Sequence, residues 1–148
     1  MADESRMDPT EAVSGAGKRR RELGAAMAEL ELAVAAPMAD PRWRGHVGEA
    51  LEEVADAFRV HCEEVERPDG MFEEVLTEAP RLDRSVDWFR ADHERLYAGI
   101  DEMTGAVAAA EPQAVREGLT NLLADLVRHR QRGADLVYEA YSVDIGGW

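Results

Sequence analysis

A chain of 148 residues, 45% hydrophobic and 32% charged, is long enough to bury one full core and reads as a helical globular domain rather than a disordered or sheet-rich one. Its 31 acidic residues against 17 lysines and arginines give a net charge of -14, which repels a phosphate backbone and an anionic lipid surface, so neither nucleic acid nor membrane is an expected partner. No apolar run reaches the roughly 20 residues that span a bilayer, the first residues lack a signal-peptide pattern, and Cys62 has no second cysteine to pair with, so a reducing cytoplasmic location is expected.

Residues 1–17 carry Asp, Glu, Ser, Gly and Pro without an apolar period and are expected to form a mobile tail ahead of one domain over residues 18–148. The basic run Lys18-Arg19-Arg20-Arg21 reads as the solvated start of a helix. The first helix has the seam Leu23, Met27, Leu30 and Val34 and stops before Pro37 and the Asp40-Pro41 turn. A second opens near Pro41 with the seam Trp43, Val47, Leu51, Val54, Phe58, His61 and Val65, and Pro68-Asp69-Gly70 ends it. Met71 to Leu76 is expected to add one or two turns packed by Met71, Phe72 and Val75.

The third long helix begins shortly after Pro80, with Leu82, Val86, Phe89, His93, Leu96, Ile100, Met103 and Val107 on one stripe. The last starts at Pro112, carries Val115, Leu119, Leu122, Leu126, His129, Gly133, Leu136 and Ala140 on its stripe, and stops at Gly146-Gly147. Four amphipathic segments with short connections predict an all-α, antiparallel up-down-up-down four-helix bundle. Tyr138, Tyr141 and Trp148 are expected to close one end of its core.

Three of the four histidines thus replace hydrophobes in three different seams, while His46 falls one residue off its stripe. His93 stands seventeen residues before Ala110 and His129 seventeen after Pro112, so antiparallel helices joined at Glu111 bring both to one height, about 25 Å from the turn. A buried imidazole must be hydrogen-bonded, kept neutral or used as a ligand. Three imidazoles suit one borderline metal, with Glu66, Glu64, Tyr97 or water in the remaining position. Gly133, one turn after His129, either admits a large neighbour such as Trp88 or Phe89, the favoured expectation, or leaves room for a ligand. Cys62 points off the seam and reads as a small buried hydrophobe, and the acids of the second helix, Glu63, Glu64 and Glu66 included, as largely a solvated face.

His61, His93 and His129, one per helix, together with the closing run Asp135 to Gly147, resemble the hemerythrin-like, or HHE cation-binding, domain family over residues 20–147. The resemblance implies an up-down four-helix bundle holding a non-haem di-iron centre, used in oxygen binding, oxygen or nitric oxide sensing, iron handling or peroxide chemistry. The ligand set departs from that pattern. The first helix has no histidine, Val65 stands four after His61, Phe89 and Tyr97 stand four either side of His93, and Gly133 and Ala134 replace the carboxylate after His129. Two close metal ions need anionic bridges to offset their repulsion, so a single iron or other divalent metal is the expectation, with a small diatomic ligand or a protein as further partner. The alternative is a metal-free interaction or regulatory module of the same fold. A hydrolytic or oxidative enzyme has the least support, because no nucleophile and base pair can be named.

Overall fold

The computed structural model describes residues 9–142, and every element among them is helical. Helix α1 spans Pro9–Ala35, α2 Trp43–Glu66, α3 Met71–Glu78, α4 Asp83–Ala109 and α5 Pro112–Ser142, with a single 3-10 turn at Pro80–Leu82 before α4. Four long helices form an all-α bundle, and α3 lies at one end. The expected stop at Gly146-Gly147 and the aromatic Trp148 lie outside the described residues.

The first helix corrects one expectation: it starts at Pro9, so residues 9–17 are helix and not tail. Proline suits a first helical turn because its missing N–H has no partner there. Once the apolar seam further along holds a helix, each added residue brings one more hydrogen bond without a new nucleation cost, so the helix extends past the seam. The second helix begins at Trp43, two residues after Pro41.

The seams do what their spacing requires. Leu23, Leu30, Val47, Val54, Phe58, Leu119 and Leu126 are fully buried in a large apolar cluster between the long helices. A second cluster at the α3 end contains Val65, Phe72, Val75, Val86, Phe89, Leu136 and Ala140. A tight turn makes α3 possible: Gly70 lies so close to the Glu64 carbonyl that a Cβ would collide with it. Tyr141 packs against the second cluster, but Tyr138 is 71% exposed, so only one of the two tyrosines closes the core end as expected. One residue per turn of α5 must face water, and Tyr138, two past the buried Leu136, falls there.

Arginines from neighbouring helices satisfy the carbonyls left bare at two helix ends. Arg44 of α2 donates to Val107 O and Ala110 O at the end of α4, both at 2.6 Å, and Arg116 of α5 donates to Val34 O and Ala36 O at the end of α1. At the other end Arg81 donates to Glu139 O, joining the approach to α4 to the last turns of α5. No described helix is long and apolar enough to cross a membrane.

Candidate metal centre

The three seam histidines meet where the two apolar clusters join. His61, His93 and His129 are 7%, 2% and 3% exposed, and a ring nitrogen from each lies within 4.8 Å of the others. Ring centroids are 4.9 Å apart for His93 and His129, 5.5 Å for His61 and His93, and 5.6 Å for His61 and His129. Phenylalanines hold them from several sides. Phe58 touches all three rings, Phe72 stacks on His93 and Phe89 meets His129 edge-on. Aromatic walls fix ring orientation and exclude water, which raises the cost of charge in the site.

Two carboxylates reach the imidazoles from behind. Asp92, 4% exposed, accepts from His129 Nδ1 at 2.7 Å and is held in turn by Arg95 at 2.5 and 3.0 Å. Glu66 accepts from His93 Nδ1 at 2.7 Å and pairs with Arg90 at 3.4 Å. An ionised carboxylate only accepts, so Nδ1 of each ring carries the proton and Nε2 keeps a bare lone pair. His93 Nε2 and His61 Nδ1 are buried and have no hydrogen-bond partner among the described residues. The electrostatics favour neutral rings. Burial, helped by the charges of His93, His129, Arg20 and Arg130, pushes His61 down to about 3. Burial beside His129 does the same for His93, and burial lowers His129 while the Asp92 bond opposes it.

The other expected site residues are distributed unevenly. Glu66 enters the site, but against the Nδ1 of His93, and it is therefore not part of a solvated acidic face. Glu64 points elsewhere, pairing with Arg67 at 3.4 Å. The Tyr97 ring packs on Phe58, and its hydroxyl lies near the Cys62 thiol. Cys62, Glu66 and His93 form a second group within 4.8 Å, yet burial pushes the Cys62 thiol up to about 12, so it stays protonated and is a poor ligand. The three-histidine set is the better donor group. His46 is exposed, as its off-seam position requires.

Three residues of the site were not singled out as functional in the sequence. Asp92 stands beside His93 in the chain, and an acid next to a seam histidine with an arginine three residues on was the available signal. Arg20 and Arg130 line the same pocket as the histidines, together with Val65, Met71 and Gly133. Arg20 belongs to the basic run expected to be solvated, but it is half-buried. The pocket itself is small, about 20 Å³.

Gly133 corrects another expectation. Neither Trp88 nor Phe89 approaches its backbone: a Cβ built there meets nothing within 4 Å. The space beside it belongs to the histidine pocket. Gly133→Ala is therefore expected to stabilise the metal-free protein by about 0.5–1 kcal/mol through helix propensity alone, a gain readable in denaturant unfolding. A destabilised variant would show that the space is not open.

Compared with family models, with curated proteins and with solved structures, the chain matches none.

Proposed function

We propose that the chain is a hemerythrin-like metal-binding protein that holds one divalent metal ion, iron or another borderline ion such as zinc or copper, on His61, His93 and His129, and acts in oxygen or redox sensing or in metal handling. The observation that carries this reading is the pair of carboxylates behind the rings. Asp92 and Glu66 fix Nδ1–H on His129 and His93. Such outer partners orient metal-binding imidazoles and raise their basicity. Buried ring nitrogens on His93 and His61, without hydrogen-bond partners among the described residues, complete a neutral donor set suited to a cation.

A metal bound there would supply Lewis acidity, and for iron or copper a one-electron couple. The protein's own residues do the rest: Phe58, Phe72 and Phe89 exclude water, and Asp92 and Glu66 hold the tautomers. Among the described residues the three-nitrogen group includes no carboxylate to bridge a second ion, which favours a mononuclear centre.

Elemental analysis of tag-free protein, with an optical spectrum, tests the reading. About one metal per chain is expected. Two irons with an oxo-to-iron band would make the centre dinuclear, and no metal after growth with added iron and zinc would leave the metal-free module, which the aromatic packing of all three rings also suits. Asp92→Asn is expected to weaken metal binding about 10–100-fold, measured by competition with a chromophoric chelator, with helicity unchanged.

A further inference from the structure

We propose that Arg20 and Arg130 form a receptor for a small planar oxyanion, of the nitrite or carboxylate class, at the three-histidine pocket. In a chain with 31 acids for 17 basic residues, a half-buried arginine without an acid is the exception. Here two stand side by side. Arg20 from α1 and Arg130 from α5 line the same pocket, and neither has a hydrogen bond or ion pair with an acid among the described residues. The Nε of Arg130 is fully buried and bare.

Four acids close in sequence to His61 and His93 are already engaged. Glu63 pairs with Arg59, Glu64 with Arg67, Glu66 with His93 and Arg90, and Asp92 with His129 and Arg95. Burial, and then the charge of Arg20, disfavours the charged form of Arg130, and both guanidinium groups disfavour a charge on His61. Two like charges, partly desolvated and unpaired, raise the energy of the folded state unless an anion joins them.

Both backbones make room for the arrangement. At Gly24 of α1 a Cβ would come within 2.6 Å of the Arg130 guanidinium, so the missing side chain lets that group lie against the helix. At Gly133 the side facing the pocket is open. A guanidinium offers paired N–H donors in one plane, which match two oxygens of a flat anion. The space of about 20 Å³ is small, which favours a compact head over a bulky one.

The receptor goes beyond the metal reading and does not need the metal, since the guanidinium groups alone supply the donors. The test uses the full chain, chelator-treated, melted in formate, in nitrite, in phosphate and in chloride at one ionic strength, beside Arg20→Gln and Arg130→Gln. Wild type is expected to melt about 4 °C or more higher in millimolar formate or nitrite than in chloride. The larger of the two responses tells a carboxylate from an inorganic ligand. Both variants should lose the response, and Arg130→Gln should melt in chloride at least as high as wild type, because the repulsion is gone. No shift in wild type, an equal shift in the variants, or an equal shift with phosphate would overturn the proposal. Metal content of the same variants, measured separately, distinguishes its failure from failure of the three-histidine site.

Discussion

Metal-free protein taken from pH 7.5 to pH 5 is expected to lose about 2 kcal/mol of stability through His61 alone. An imidazole in the unfolded chain titrates near 6.5, whereas folding lowers that of His61 to about 3. Between these values the unfolded chain binds a proton that the folded chain refuses. Stability is therefore fully present above about 6.5 and falls as pH drops through the window, by about 1.4 kcal/mol per pH unit once the unfolded histidine is charged. His93 is lowered in the same direction, by burial first and then by the charge of His129, and the Asp92 carboxylate offsets part of the cost. Urea unfolding at several pH values measures the slope. His61→Leu should flatten it by about one proton's worth over pH 4–6, and an unchanged slope would show that His61 is not held neutral. Because ligation also requires neutral rings and folding keeps His61 neutral down to about 3, bound metal should be retained through this window for as long as the chain stays folded.

Saturating metal should raise the melting temperature by about 10 °C. A ligand at a thousand times its dissociation constant stabilises the folded state by about 4 kcal/mol, and a domain of this length gains roughly 2–4 °C per kcal/mol. His129→Gln should abolish that rise and reduce bound metal from about one per chain to a small fraction. Glutamine keeps a donor for Asp92 and most of the ring's volume, so it removes the ligand without stranding a buried carboxylate. If His129→Gln binds metal like wild type, the proposed donor set is wrong. If neither protein responds to metal, the histidines are structural and the search moves to a protein partner.

The helical seams were legible because burial in a bundle imposes a period close to 3.6, and an imidazole that keeps the period must enter the core with its neighbours. His61, His93 and His129 are found together for that reason, and the equal counts from His93 and His129 to the turn at Glu111 made the last two easy to place. The same reasoning was divided at Glu66, read both as a candidate ligand and as part of a largely solvated face. Its position on α2 is at the edge of the stripe, and only the approach of His93 from α4 turns it inward. Asp92 escaped for a similar reason, since adjacent residues on a helix point about 100° apart and its partner comes from α5. Gly133 was assigned to close packing, yet packing depends on what the opposite helix sends towards it, and nothing arrives. The start of α1 was missed because helix propagation beyond a buried seam leaves no apolar period to read.

By itself the sequence determined an all-helical bundle, its four seams and the three histidines that share a level, because each depends on spacing along one chain and on the need to bury apolar side chains. The tertiary structure decided which nitrogen of each ring is bare, which acids stand behind the rings, and which arginines are left without acids. Those depend on the angles and heights at which different helices meet, and no period within a single helix encodes them.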